Sequence, residues 1–258
     1  NLKEVHPTIM CAVPRLLEKI YDKLYMAGKK QPFITKKIYY WAVDLATKYK
    51  LDPSKRSWWY NLRHKFADKM VYSKWRDALG AVRLTQVVSG GSALQPRLAS
   101  FFQAIGMVIY EGYGLSETSP VIAVARDEAY THEPGTVGLP LPGIEVKIAE
   151  NDELVCRGHN VMLGYYKDEA KTKEVIDADG WFHTGDTAII TKNGLVKITG
   201  RIKSLFKTSF GKYVNPELIE EKFMTSPFIN AIVVCGENRQ YPVALIVPEF
   251  SCLRTWCD

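Results

Sequence analysis

The chain has 258 residues, 47% of them apolar and 24% charged, which excludes a disordered or fibrous composition and suits two domains or subdomains of about 100–200 residues each. No apolar run approaches the roughly 20 residues that cross a bilayer. Five scattered cysteines (Cys11, Cys156, Cys235, Cys252 and Cys257) with no CxxC pair support neither a disulfide framework nor a zinc site and fit a reducing cytosol. The net charge of +6 is uneven: residues 1–80 hold 17 Lys/Arg against 7 Asp/Glu, a net +10, which leaves −4 for the other 178. That excess predicts an anionic surface or partner for the first third. The opening Asn1-Leu2-Lys3-Glu4, without Met or a signal segment, suggests an excised piece.

From about Thr8 to Arg76 the spacing predicts helices. Val13, Leu16, Leu17, Ile20 and Leu24 recur every three or four residues, and so do Ile38, Trp41, Ala42 and Leu45. Pro14 suits a first helical turn. Val82 to Val88 reads as a strand ending in Ser89-Gly90-Gly91, then Leu94 to Ile105 as a helix, then Met107 to Tyr110 as a second strand. Residues 81–125 are therefore expected to form part of an α/β layered sheet. Beyond Pro134 the texture turns to short strands, Val146 to Ile148 and Leu154 to Cys156 among them. Asn193-Gly194 between Ala188-Ile189-Ile190 and Leu195 to Ile198 signals a hairpin. A last unit from about Lys203 has a predicted helix over Pro216 to Met224 and strands over Ala231 to Val234 and Val243 to Val247.

Four clusters carry chemistry. Gly90-Gly91-Ser92, after a strand, lets the backbone approach a flat or anionic ligand, though an ordinary tight turn fits as well. Glu111-Gly112-Tyr113-Gly114 with Glu117 and Thr118 offers a stacking ring, a carboxylate for a hard cation such as Mg²⁺, and a hydroxyl for phosphate; its plain alternative is a glycine-rich surface loop. His183-Thr184-Gly185-Asp186 places a carboxylate in a turn, where it can accept ribose hydroxyls or merely cap a hairpin. Arg201, Lys203, Lys207 and Gly211 combine a fork-shaped donor with a pivot glycine, or form a solvated basic linker. His183 reads as structural, and His6, His64, His132, His159 and His183 form no metal-ligand pattern.

In order, Ser-Gly-Gly-Ser-Ala-Leu at 89–94, Gly-Tyr-Gly-Leu-Ser-Glu-Thr at 112–118, His-Thr-Gly-Asp at 183–186 and Gly-Arg-Ile-Lys at 200–203 resemble the AMP-binding, adenylate-forming superfamily. His6-Pro7-Thr8, Val13 to Ile20 and Lys207-Thr208-Ser209 look like its long-chain fatty acid:CoA ligase branch. The resemblance implies a large α/β domain with a β-rich part and the start of a small α+β domain, divided as 1–125, 126–202 and 203–258. It implies that a fatty acid, ATP and coenzyme A are converted through an acyl-adenylate to acyl-CoA, AMP and pyrophosphate, with Mg²⁺. Gly90, Gly91, Ser92 and Glu111 to Gly114 would surround adenine, with Tyr113 flanking it. Thr118 would contact phosphate and Glu117 the metal, these two forming the catalytic pair. Asp186 and Arg201 would hold the ribose, Lys203 would be the hinge, and Lys207 and Gly211 a loop on the CoA side.

Lys203 stands where many members carry Asp, and Phe210-Gly211 where Gly-Gly is usual. The resemblance places the family's phosphate loop before residue 1 and its catalytic lysine after Asp258, so the 258 residues alone are expected to be inactive. An adenylating enzyme for another carboxylate, or a basic lipid- or nucleic-acid-binding module, are the alternatives. No nucleic-acid motif accompanies the charge, so no nucleic acid is expected. A cytoplasmic placement, peripheral at the inner membrane surface through residues 1–80, is the expected localisation.

Overall fold

A computed structural model describes residues 2–126 and 133–257; His132 lies outside the described residues. The chain divides into two compact units, one of residues 1–144 with Thr191–Lys197, the other of Glu145–Ile190 with 198–258.

In the first unit the order is α1 (Leu2–Val5), β1 (Ile9–Ala12), α2 (Pro14–Lys29), α3 (Phe33–Thr47), α4 (Trp58–Ala67), α5 (Ser73–Leu79), β2 (Gln86–Ser89), α6 (Pro96–Ala104), β3 (Val108–Tyr113), β4 (Ala123–Val124) and β5 (Leu139–Pro140). A π-type turn at Asp68–Tyr72 joins α4 to α5. The sheet runs β1-β2-β3-β4-β5, with β1, β2 and β3 parallel and β4 and β5 antiparallel. Strand β1 corrects the expectation of helix from Thr8: Ile9-Met10-Cys11-Ala12 pairs with Gln86 to Ser89 instead. Four apolar residues before a proline carry no period of their own, and the long-range ladder decides their conformation. Strand β2 also starts later than predicted, since Val82 is exposed and Leu84 N–H closes a turn to Ala81 O at 3.1 Å.

Helix α2 starts on Pro14 and buries Leu17, Tyr21, Leu24 and Gly28, one stripe at helical spacing. Val13 and Leu16, expected on that stripe, are exposed. Aromatic rings stand among the aliphatic side chains of this unit's core. Tyr72, Phe101 and Phe102 have no exposed surface. Phe101 meets Tyr21 edge-on at 4.9 Å between centroids and Trp75 at 5.5 Å. Tyr72 gives its hydroxyl to Ala42 O at 2.9 Å, which satisfies the polar end of a buried ring.

A four-stranded sheet in the order β6 (Ile144–Ile148), β7 (Glu153–Gly158), β8 (Phe182–Ile190), β9 (Val196–Arg201) has most of its residues in the second unit, with α7 (Glu169–Val175) between β7 and β8. Gly194 alone takes the left-handed conformation at the Asn193-Gly194 turn (φ 78°), and Thr191 N–H reaches Leu195 O at 2.9 Å. The loop is therefore longer than the two-residue turn that needs positive φ at both positions. After β10 (Phe206–Lys207) and β11 (Tyr213–Val214), α8 (Pro216–Phe223) packs on β12 (Ile229–Cys235), which pairs antiparallel with β13 (Val243–Pro248), and α9 (Phe250–Cys257) closes the described chain. Asn215 caps α8 through Glu217 N–H at 3.1 Å, with Pro216 in its first turn. Among the described residues no helix is long and apolar enough to cross a membrane.

Cys156, fully enclosed in β7, has its thiol pushed up to about 11 by burial. Its unfolded value is near 9; the stability from keeping it neutral is complete below that and is lost as pH rises from about 9 towards 11. At pH 8 an aromatic disulfide reagent should label Cys11, Cys235 and Cys257, which are exposed, and spare Cys156 and Cys252, which are buried, until denaturant is added. Rapid labelling of all five in the native protein would contradict this burial.

Candidate functional site

The first group of predicted residues lies at the carboxyl ends of the parallel strands β2 and β3, where open α/β sheets bind their ligands. Ser89 faces Glu111 across the ladder, so Gly90-Gly91-Ser92 leaves β2 beside Gly112-Tyr113, which stay in the sheet by pairing with Val124 and Ala123 of β4. A Cβ on Gly90 would stand 3.3 Å from Gly112 O. Gly91 has φ 87° and Ser92 is exposed. Ser89 Oγ is buried without a hydrogen-bond partner among the described residues. The Glu111 carboxylate is buried and takes Gly135 N–H at 3.4 Å, while its carbonyl takes Ala125 N–H at 2.9 Å. Tyr113 and Glu117 are half-buried.

Gly114 is where the backbone is most confined. A Cβ there would lie 1.8 Å from Pro120 O and 2.7 Å from its carbonyl carbon. The loop folds back this tightly because Thr118, fully buried, accepts Leu115 N–H at 3.0 Å and has Leu115 O and Pro120 O at 3.0 and 3.2 Å for its own O–H. Thr118 thus shapes the loop, and a phosphate contact through its hydroxyl requires one of these bonds to be released. Among the described residues no group of three or more His, Cys, Asp or Glu could hold a metal by itself. Glu117, a single carboxylate, fits only a hard cation that brings its remaining oxygens from phosphate and water.

The second group belongs to the other unit. Asp186 lies on β8 with a side chain 6% exposed, and its Oδ1 is 3.0 Å from Nε of Arg201, whose side chain is 64% exposed at the end of β9. Asp186 N–H reaches Thr184 Oγ1 at 3.1 Å, and Gly185 beside it has φ 71°. His183 Nδ1 is 2.8 Å from Glu153 Oε2, and Nε2 is 3.9 Å from Asp177. Trp181 N–H bonded to the Asp177 carboxylate holds that carboxyl below its usual range.

Lys203 is exposed in the 3-10 turn Ile202–Ser204, whose Ser204 hydroxyl donates to Glu217 at 3.0 Å. Lys207, on β10, and Gly211, with φ 78°, flank a turn closed by Gly211 N–H to Thr208 O at 2.8 Å. A Cβ on Gly211 would touch Lys207 Cε at 3.6 Å. The predicted residues are therefore gathered into two groups, one in each unit. Glu153 stands out only in the structure, because the hydrogen bond that brings its carboxylate to Gly185 joins positions 32 apart, and the structure gives Thr184, already in the 183–186 cluster, its own bonds.

Set against known proteins, this chain belongs to the AMP-binding enzyme family: the family profile matches residues 1–166, and that of the AMP-binding enzyme C-terminal domain matches 204–255. It is 37% identical over 254 residues to the long-chain-fatty-acid–CoA ligase FadD15 of Mycobacterium bovis, covering 97% of this chain and 41% of that protein. With the long-chain-fatty-acid–CoA ligase 1 of Homo sapiens it shares 32% over 271 residues, 100% of this chain and 37% of that one. The chain thus spans about two fifths of the length of these curated relatives. Its fold is that of the adenylation domain of a carboxylate reductase from Mycobacterium chelonae (TM-score 0.70, 22% identity, 100% of this chain and 37% of that one). It is also that of an O-succinylbenzoate coenzyme A synthetase from Bacillus subtilis, solved with ATP and a magnesium ion (TM-score 0.58, 23% identity, 65% of this chain and 37% of that one).

Because backbone atoms rather than a flexible side chain meet the added methyl, Gly114→Ala should lower stability by about 1–3 kcal/mol or more. Gly112→Ala, whose Cβ would meet nothing closer than 3.6 Å, should cost less than about 1 kcal/mol. Denaturant unfolding of both variants checks the contrast, and equal midpoints would contradict the confinement of Gly114.

Proposed function

We propose that this chain forms the adenosine-handling part of a long-chain fatty acid:CoA ligase. In that reaction a fatty acid carboxylate oxygen attacks the α-phosphorus of ATP and pyrophosphate leaves; the thiol of CoA then attacks the acyl carbon and AMP leaves. The observation that carries the reading is the pair Asp186–Arg201 at 3.0 Å, a buried carboxylate with an exposed guanidinium beside it. A carboxylate accepts ribose O–H groups, and a guanidinium adds N–H donors in a fixed fork. The relatives' names supply the acid: both are long-chain-fatty-acid–CoA ligases.

In the other unit Gly90, Gly91 and Ser92 form one wall of the adenine site, and Glu111 to Gly114, with the Tyr113 ring, the other. Absent side chains at the glycines let a flat ring lie on the backbone. Glu117 would hold Mg²⁺, which supplies charge neutralisation on the phosphates when bound with the nucleotide. Lys203 serves as the pivot for the residues that follow, and Lys207 and Gly211 face CoA.

Isothermal titration with AMP and with non-hydrolysable acyl-adenylate analogues of rising chain length tests the reading. Asp186→Ala removes a charge-assisted bond of about 1.5–3 kcal/mol, so AMP should bind about 10- to 100-fold more weakly. Unchanged affinity would overturn the ribose assignment. A long-chain analogue binding no tighter than an acetyl one would favour another carboxylate.

A second reading concerns the basic first third. Between α3 and α4 a groove of about 560 Å³ is lined by Ile38, Trp41, Trp59, Leu62 and Phe66, with Lys37 and Arg63 among its walls. Trp58, Trp59, Phe33 and Ile34 are exposed around it. Aromatic rings beside cations suit the interface of an anionic bilayer, which gives this part of the chain a peripheral seat on lipid. Co-sedimentation with vesicles containing anionic lipid, weakening as salt rises and reduced by Trp59→Ser with Arg63→Glu, is the expected result. Binding to neither anionic nor neutral vesicles would leave the charge as a solubility feature and refute the docking.

A further inference from the structure

The ladder between β7 and β8 is irregular at the ribose-site candidate. Glu153 pairs with Thr187, but Val155 pairs with His183. Two steps along β7 therefore correspond to four along β8, so β8 carries two surplus residues within Thr184-Gly185-Asp186. A bulge of this kind takes backbone donors out of the ladder and re-aims side chains, and each freed N–H needs a new acceptor.

Side chains provide them. Glu153 Oε1 accepts Gly185 N–H at 2.9 Å, and Thr184 Oγ1 accepts Asp186 N–H at 3.1 Å while giving its own proton to Leu154 O at 2.6 Å. The second oxygen of Glu153 lies 2.8 Å from His183 Nδ1. One carboxylate, 14% exposed, thus grips the bulge on both sides of Thr184. Regular pairing would instead set Gly185 opposite Val155 and draw Asp186 into the ladder.

We infer that Glu153 is a positioning residue for Asp186: its carboxylate stabilises the bulge that holds the Asp186 side chain against Arg201 and turns it towards the ribose hydroxyls. This rests on the ribose reading above. His183 acts through Glu153, as the second anchor of that carboxylate, and Thr184 completes the bulge.

Chemistry separates positioning from bulk stabilisation. In Glu153→Ala nothing replaces the acceptor for Gly185 N–H, and the bulge can relax. In Glu153→Gln the amide oxygen still accepts that N–H and the NH₂ group can donate to a neutral imidazole, so the grip is retained. Glu153→Asp is one methylene shorter and cannot span both partners.

The experiment titrates AMP and 2′,3′-dideoxy-AMP into the 258-residue chain and these variants, with circular dichroism to verify folding. Glu153→Ala should weaken AMP about tenfold or more while changing dideoxy-AMP by less than about threefold, and Glu153→Gln should restore AMP binding to within about threefold of the parent. Added to Asp186→Ala, Glu153→Ala should cause no further loss, since the two act through one contact. Should Glu153→Ala not fold, Glu153→Asp should show the same ribose-dependent loss. Equal losses for both nucleotides, or additive losses in the double variant, would overturn the positioning role. If Asp186→Ala itself leaves AMP binding unchanged, the ribose reading has failed; if Asp186→Ala weakens AMP and Glu153→Ala does not, only the present inference has.

Discussion

Contact between backbone and backbone is the constraint on which the first unit's loop geometry depends. At Gly114 the chain leaving β3 runs against the carbonyl of Pro120, and at Gly138 the chain entering β5 lies so close to Val124 and Ala125 that an added Cβ would fall 2.2 Å from Ala125 N. Side chains anywhere along these approaches would separate strands that are only two residues long at β4 and β5. Given the glycines, Thr118 can lock the 114–120 turn with a single hydroxyl, and Ile122 N–H can reach Tyr113 O at 2.8 Å. The parallel strands are thereby continued by an antiparallel edge, and Gly112, Tyr113 and Gly114 are left where the sheet changes direction.

Local signals made much of this visible. Pro14 and Pro216 mark helix starts, Ser89-Gly90-Gly91 marks the end of a strand, and Asn215 caps the helix it precedes. Other features depend on partners far along the chain. Nothing in Ile9-Met10-Cys11-Ala12 distinguishes strand from helix until Gln86 to Ser89 lies alongside. Leu16 fits a helical stripe by count, yet the stripe that faces the core is centred on Leu17, Tyr21 and Leu24. Asp186 and Arg201 were each singled out because both belong to short recognisable clusters, whereas their pairing with each other emerged only in the structure. Glu153 was not, since its importance arises from a register irregularity that no window of sequence contains.

The two units use different means to present polar groups. In the first, glycine backbone does the shaping, while Thr118 is buried within the turn it organises and Glu111, on β3, is buried and takes Gly135 N–H. In the second, side chains do it: Thr184, Glu153 and Asn215 each bond backbone groups outside their own regular ladder. Asn215 Nδ2 donates to Thr199 O at 2.9 Å, and a Cβ on Gly200 would sit 2.3 Å from that nitrogen. Arg201 therefore follows a residue that has no room for a side chain, which fixes where its own stem begins.

The β8 irregularity has a consequence for how the sheet tolerates change. Side chains on a strand alternate between faces, and a surplus of two residues keeps the positions on either side of the bulge in phase. Phe182 on one side of the bulge and Ala188 on the other are both enclosed, although the strand between them is two residues longer than its neighbour requires. The surplus pair thus brings a carboxylate into this sheet while Phe182 and Ala188, on either side of it, keep their enclosed places.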